Sequence, residues 1–426
     1  MTRLLRILAP LAVIGIVVLG TVYLIGRGSG DIPPASVDFS SLSGDDRQEM
    51  FDRGEWVAHA SDCAACHTDP AGGSDLAGGL PMETPMGTIY GTNITPSKDH
   101  GIGGWSADDL YRAVAWGVAP GGKNLYPAMP YPSYHRITRA DSDALWVWLM
   151  AQRPVDKPNQ PNGLIFPFNV RPGVALWNAF FRPDAEPAQV GDSPAEQGEY
   201  LVNVLGHCGE CHTPRNLAYA LSDDHLAGEV IEGAYAPDLR ADALARRGWS
   251  QDDLVSFLHR GLSPQGVMTF GMFPVLSHST SHLPDEDLTA ITAYLTAGQT
   301  LTGPQTADPV GVLSSEGAAL YIGLCAGCHG TDGAGQPHSS VRLDVNTTAM
   351  FREPLNLIRV IAEGIPGRDL AHGERMQAMP AFDQMLSDQE MADLVNYLRQ
   401  RWGGHEGDVT PDVVESARAK GDTRHQ

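Results

Sequence analysis

Cys63-Ala64-Ala65-Cys66-His67, Cys208-Gly209-Glu210-Cys211-His212 and Cys325-Ala326-Gly327-Cys328-His329 repeat one pattern, C-x-x-C-H, and consume all 6 cysteines of the chain. This is the attachment signature of a c-type haem. Two thiols add to the two vinyl groups of one macrocycle, and the adjacent histidine reaches the iron. Two intervening residues make a helical turn that puts both sulfurs on one edge of the ring. A thioredoxin-like pair or a zinc half-site would explain one such motif. Neither explains three that each end in His and leave no cysteine over. The expectation is three covalently bound haem c groups, held by Cys63, Cys66, Cys208, Cys211, Cys325 and Cys328, with His67, His212 and His329 on the iron.

At 426 residues the chain has room for two to four domains, and a hydrophobic content of 42% supports true cores. A formal net charge of −22 argues against nucleic acid or an anionic surface as a partner. Haem loading implies an oxidising compartment outside the cytoplasm. Arg3 and Arg6 precede an apolar run from Ile7 to Ile25. As a helix at ~1.5 Å per residue the run is about 28 Å long, close to the ~30 Å hydrocarbon core of a bilayer. Positive-inside logic then places the rest on the periplasmic side of a bacterial inner membrane. We expect an uncleaved N-terminal anchor; a signal peptide cut among Gly26 to Gly30 is the alternative.

An internal repeat organises the remainder. Before each motif lies a helix-like stretch beginning near a glycine, at Gly54, Gly198 and Gly317. After it comes an amphipathic helix ending in Trp148-Leu149, Tyr294-Leu295 or Tyr397-Leu398, with acids in its first turn where the helix dipole favours them. Two repeats also share Trp-Ser-x-Asp-Asp-Leu, from Trp105 and from Trp249, followed by Gly117 and Gly261; Gly364 is the third equivalent. Helix, haem motif, loop, helix, glycine, loop, helix is the all-α order of a small cytochrome c. The fold expectation is therefore three tandem class I cytochrome c-like domains. The boundaries are 1–30 for the anchor or signal segment, 31–153 for domain 1, 195–298 for domain 2 and 313–403 for domain 3. A Pro-rich connection at 154–194 should wrap the surface and dock on domain 2 or on a partner. A linker spans 299–312, and the polar tail 404–426 should be disordered. Trp56, Tyr200, Tyr294 and Tyr397 are expected as packing residues, and Thr88 to Thr95 as the best short strand.

The sixth position on each iron decides the chemistry. A His/Met site is closed and suits electron transfer, whereas an open one binds or activates small molecules. Tyr126-Pro127-Ala128-Met129-Pro130-Tyr131 and Gln377-Ala378-Met379-Pro380-Ala381 place a methionine among prolines, between the repeat glycine and the last helix. Met129 and Met379 are the expected distal ligands. In domain 2 the choice lies between Met268 and Met272. Met272 follows Gly261 by a gap close to that from Gly117 to Met129, and is preferred; His278 and His282 are outside alternatives. Met376 and Met385 are expected to pack in the core.

Gly91-Thr92-Asn93-Ile94-Thr95-Pro96, Gly101-Ile102-Gly103-Gly104-Trp105-Ser106 and Leu125 to Tyr131 resemble the first haem domain of the triheme cytochrome c subunits of membrane-bound periplasmic dehydrogenases. Cys208 to Asn216, and Cys325 to Gly330 with Gly333 and Gly335, are similar to the second and third motifs of that family, and the likeness runs from about residue 50 to 402. The chain departs from the family around Met272, where Met-Ala-Glu-Val-Val is usual, and in its poor cleavage context after the apolar run. The resemblance implies a partner catalytic subunit of PQQ, flavin or molybdopterin type, and electron delivery through three haems to membrane quinone or a downstream oxidase. It implies an electron-transfer subunit of an oxidoreductase complex with no substrate chemistry in this chain. The alternatives are a haem enzyme with an open distal site, and a general electron wire to a terminal oxidase.

Overall fold

The computed structural model describes residues 2–337 and 339–422, with side chains from residue 13 to residue 420. The chain is predominantly helical and folds as two compact units. The first takes residues 1–191, 200–210 and 216–220; the second takes 192–199, 211–215 and 221–426.

In the first unit the helices are α1 (Thr2–Arg27), α2 (Gly44–Ala60), α3 (Cys63–His67), α4 (Ala107–Trp116), α5 (Tyr131–Tyr134), α6 (Arg139–Ala151) and α7 (Pro172–Phe181). Strands are short. β1 (Pro81–Thr84) pairs antiparallel with β2 (Gly87–Tyr90), setting Met82 opposite Ile89. β3 (Val118–Ala119) pairs with β4 (Lys123–Asn124), and β5 (Gly163–Leu164) joins the free edge of β2. The strand expected over Thr88 to Thr95 thus ends at Tyr90. Beyond it the backbone N–H of Asn93 is taken by Asn159 Oδ1 at 2.6 Å, and the Asn93 amide donates to the carbonyls of Val155 and Lys157. The Pro-rich connection therefore packs on the first haem-motif region itself, through polar side chains that composition alone does not pair.

α8 (Pro194–Tyr200) opens the second unit, although Tyr200 and the residues after it to Glu210 belong with the first. α9 (Gly209–His212), α10 (Ala241–Arg246), α11 (Gln251–Arg260), α12 (Met272–His278) and α13 (Asp285–Leu295) follow. Then come α14 (Ser315–Leu320), α15 (Ala326–His329), α16 (Thr347–Met350), α17 (Leu355–Glu363), α18 (Asp388–Leu398) and α19 (Pro411–Asp422). Asn356 of α17 exchanges hydrogen bonds with the backbone of Tyr235 at 2.7 and 2.8 Å, and Arg359 donates to the Gly233 carbonyl at 2.7 Å. These bonds tie the chain around the second motif to that around the third.

Three serines cap the starts of these helices. Ser106, Ser250 and Ser387 each accept the N–H of the residue three places on, and Asp109 and Glu390 complete capping boxes. A cap of this kind contributes about 1 kcal/mol. The repeat glycines lie inside their helices and not at the starts, since α2 begins at Gly44, α8 at Pro194 and α14 at Ser315. Packing is the reason for them. A Cβ on Gly54 would lie 2.1 Å from the Ala144 carbonyl oxygen, one on Gly198 2.0 Å from that of Ala290, and one on Gly317 2.1 Å from that of Asp393. In each case the next contact partner is the Cβ of the aromatic residue near the end of the later helix: Trp148, Tyr294 or Tyr397. Backbone touches backbone at three equivalent helix crossings, so no larger residue fits. Tyr200 does more than pack: its hydroxyl donates to Asp141 Oδ2 at 2.7 Å and accepts the Thr138 N–H at 3.1 Å.

The tail differs from expectation. Residues 411–422 form α19, whose Val414 and Ala417 are buried in the core of Tyr321, Ile358, Met391, Leu394 and Trp402. Val413, Val414 and Ala417 make one apolar face in an otherwise polar sequence, too few to raise the mean hydropathy. As for the apolar N-terminal run, α1 is one continuous helix, but the side chains of residues 1–12 lie outside the described residues. Among the described residues no helix is long and apolar enough to cross a membrane.

Candidate haem sites

Each motif histidine and the cysteine before it sit on a short helical turn, α3, α9 or α15; the first cysteine starts α3 in the first motif and directly precedes the turn in the other two. The approach to the turn differs. After α2, Asp62 adopts a left-handed conformation, φ 51°, directly before Cys63. After α8, the Gly206 N–H reaches back five residues to the Leu201 carbonyl at 2.7 Å, and after α14 Ala326 does the same to Tyr321. Such wide turns re-aim the side chains that follow, here the cysteines. No disulfide joins any of the six cysteines. Burial pushes the Cys63 thiol up to about 12, and those of Cys208 and Cys325 to about 11, so they stand as neutral thiols.

The three motif histidines share one geometry. His67 Nδ1 is 2.6 Å from the Thr92 carbonyl, His212 Nδ1 2.7 Å from that of Pro237, and His329 Nδ1 2.9 Å from that of Val341. A carbonyl accepts only, so Nδ1 carries the proton and Nε2 keeps its lone pair, as an iron-binding imidazole requires. Burial holds all three rings below the usual histidine range, His212 at about 4, which keeps them neutral. The carbonyl of each histidine is itself fixed. It accepts from Gly78 at 2.6 Å, Gly228 at 2.7 Å and Gly335 at 2.9 Å, three glycines at φ 69°, 86° and 68°. An L side chain avoids that region of backbone space. Only Gly335 of this triplet stands out in the sequence, because the distance from the motif varies from copy to copy.

Around the first motif the structure brings the expected residues together. A cavity of about 610 Å³ is lined by Cys63, Cys66 and His67 together with Ala128, Met129 and Pro130. Ile102, Leu110, Val114, Leu145 and Leu149 make its apolar wall. Donor set and apolar lining fit a haem, with His67 and Met129 the residues that would hold its iron. Three lining residues were not anticipated. Tyr134 donates its hydroxyl to the Ser61 carbonyl at 2.8 Å. Asp62 is buried with its Oδ1 lacking a hydrogen-bond partner, and burial pushes its carboxyl up to about 8. His207, one residue before Cys208, also lines this cavity and meets the Tyr134 ring edge-on, centroids 5.5 Å apart.

Around the third motif Met379 is half-buried against the α14–α18 core and exchanges backbone hydrogen bonds with Ile365 at 2.9 and 3.0 Å. The preceding Gly364 lies against this loop, where a Cβ would meet the Met379 carbonyl oxygen at 2.5 Å. In the second repeat Met272 opens α12 and is half-buried, while Met268 is fully buried with Leu276 and Leu370. Met376 packs against that same cluster, but Met385, also expected in the core, is exposed.

The cytochrome c family profile matches residues 314–402, the region of the third motif. Along most of its length the chain is similar to three further proteins. It is 40% identical to the gluconate 2-dehydrogenase cytochrome c subunit of Pantoea cypripedii, covering 90% of this chain and 93% of that one. It is 37% identical to the cytochrome c subunit of the quinone alcohol dehydrogenase of Gluconobacter oxydans, covering 91% and 86%. It is 35% identical to the fructose dehydrogenase cytochrome subunit of Gluconobacter japonicus, covering 91% and 85%. With identity at this level over nearly the whole of each chain, the protein belongs to the family of cytochrome c subunits of periplasmic, membrane-bound dehydrogenase complexes.

Proposed function

We propose that this chain carries three haem c groups in three cytochrome c-like repeats and moves electrons from a dehydrogenase catalytic subunit to membrane quinone or a downstream oxidase. It is an electron-carrier subunit, and the catalytic chemistry belongs to its partner. The observation that carries the count is the threefold recurrence of one arrangement: a C-x-x-C-H turn, a histidine whose Nδ1 faces a backbone carbonyl, and a glycine N–H on that histidine's own carbonyl. Haem bound there supplies one-electron carriage. The protein's part is to hold each imidazole neutral and aimed, to close the distal side with Met129, Met272 and Met379, and to exclude water with apolar walls. Thioether on the distal side favours the ferrous state and a high potential, suited to accepting electrons from an organic cofactor.

The N-terminal run, read as a membrane anchor on the periplasmic face, supports delivery to quinone, which is confined to the bilayer. The flavin, PQQ or molybdopterin identity of the partner follows no residue of this chain. Pyridine haemochrome absorbance against protein mass tests the count: a ratio of three supports it, and two would remove one repeat from the wire.

A further inference from the structure

α1 does not leave the first unit as a loose tether. At Gly26 it crosses α7 so closely that a Cβ would stand 1.7 Å from the Ala175 carbonyl oxygen. The Gly26 carbonyl accepts from the Asn178 amide at 3.3 Å and the Asn124 amide at 3.4 Å, and the Gly28 carbonyl accepts from Arg182 at 2.8 Å. The direction in which α1 leaves is therefore fixed against α7, and the surface of α7 is fixed beside it.

That surface is apolar and open. Phe180 on α7 is 70% exposed and Phe181 lies next to it. In the segment leading to α7, Phe166 is 78% exposed, and Ile165, Phe168 and Val170 are exposed with it. Isolated exposed apolar residues are ordinary; six within residues 165–181 mark an interaction surface. In the same region the chain concentrates positive charge, against its formal net charge of −22. The Arg27 guanidinium lies over the Gly122 turn, Arg171 donates to the Asn124 carbonyl, and Arg182 donates to that of Trp116. Burial, and after it the charge of Arg171, holds the Lys123 ammonium below the usual lysine range. Asp184 faces Arg182, and Asp109 pairs with Arg112 beside Arg27, so the four cations are only partly neutralised.

We infer that α7 and the loop Ile165 to Val170 are a second membrane contact, seated in the headgroup layer of an anionic phospholipid bilayer where α1 emerges. The apolar side chains would enter the acyl boundary while Arg27, Lys123, Arg171 and Arg182 meet lipid phosphates, the division of labour of an interfacial amphipathic element. Continuity selects the bilayer over a protein partner. The exposed apolar side chains of α1, Val13 to Ile25, lead up to the Gly26 crossing with α7, the helix that carries Phe180 and Phe181. Whatever covers the one surface adjoins the other. The inference rests on α1 being membrane-embedded, as proposed above.

The test uses the full-length, haem-loaded protein in vesicles of phosphatidylcholine and phosphatidylglycerol, photolabelled with a lipid-soluble carbene reagent and mapped by mass spectrometry. Label in the peptides covering 164–182 as well as in α1 is the expected result. The double variant Phe166→Ser/Phe180→Ser should lose label in 164–182 while α1 labelling and haem absorbance stay as they were. Phe168→Ser alone gives a milder check should the double variant load haem poorly. Label in α1 but none in 164–182 overturns the inference and leaves the anchor standing. Label in 164–182 without α1 removes the anchor, and with it the continuity from which this contact is argued, so it overturns both readings. Protection of 164–182 from a water-soluble reagent only when a dehydrogenase catalytic subunit is added would overturn the bilayer in favour of a protein.

Discussion

The backbone N–H of Met268 donates to the carbonyl of Gly261 at 2.8 Å. Leu125 makes the same bond, at the same 2.8 Å, to the carbonyl of Gly117 in the first repeat. The two loops are therefore in register at Leu125 and Met268, and the residue four places on is Met129 in one and Met272 in the other. This is the structural argument for Met272 over Met268 as distal ligand, and it agrees with the spacing read from the sequence. Met272→His should lower the potential of one haem and leave the other two waves of a redox titration nearly in place. Met268→Ala, which empties a site 1% exposed, should instead cost roughly 2–5 kcal/mol of stability with all three potentials kept. The opposite pattern would exchange the two assignments.

The helix-crossing glycines predict a shared sensitivity. Gly54→Ala, Gly198→Ala and Gly317→Ala each force a methyl to within about 2 Å of a carbonyl oxygen, so the helices must separate. Overpacking of this kind costs about 1–3 kcal/mol or more. Each variant should melt earlier and lose haem from its own repeat first, read by thermal denaturation and by haem content after expression. Gly104→Ala, with open space around it, is the control and should be silent.

Asp62 gives a pH dependence with a definite sign. Its carboxyl is raised from 3.8 to about 8 by burial, so between those values the folded state binds a proton that the unfolded chain has released. Stability linked to Asp62 is thus full below about pH 4 and is lost as pH rises toward 8. Asp62→Asn should flatten the melting temperature of the first repeat across that interval, with its largest gain at the alkaline end. An unchanged pH profile would show that the buried carboxyl is solvated or paired in the loaded protein.

The packed tail makes the last prediction. Arg418 donates to Asp388 at 2.6 Å and to the Leu386 carbonyl at 2.7 Å, and Val414 is fully buried. Val414→Asp buries an unpaired charge and should destabilise the third repeat by several kcal/mol. Truncation after Thr410 should do likewise and open α18 to limited proteolysis. A tail without structural role would leave both the melting temperature and the protease pattern unchanged.

Much of the site was written in local patterns. Three pentapeptides with adjacent histidines name the prosthetic group because thioether chemistry and ring approach both demand that spacing. Serine with an acid three places later marks a helix start because the cap closes within four residues. The three glycine–aromatic helix crossings were readable because those residues recur in the same order. Family resemblance added the electron-carrier role, which the relatives support.

Other features depended on partners distant in sequence. The carbonyls of Thr92, Pro237 and Val341 orient the three imidazoles, yet a main-chain oxygen leaves no mark on residue identity. Asn93 draws the Pro-rich connection onto the first unit by hydrogen bonds across more than sixty positions. α19 is stable because two small apolar side chains meet a core built elsewhere, too weak a signal in a polar stretch. Burial then sets the charge of Asp62 and of the motif histidines. Sequence alone determined which residues are the candidates to attach haem and how many repeats to expect, because that chemistry is local. Tertiary structure decided what aims, buries and encloses them, because those forces act between segments that meet only when the chain has folded.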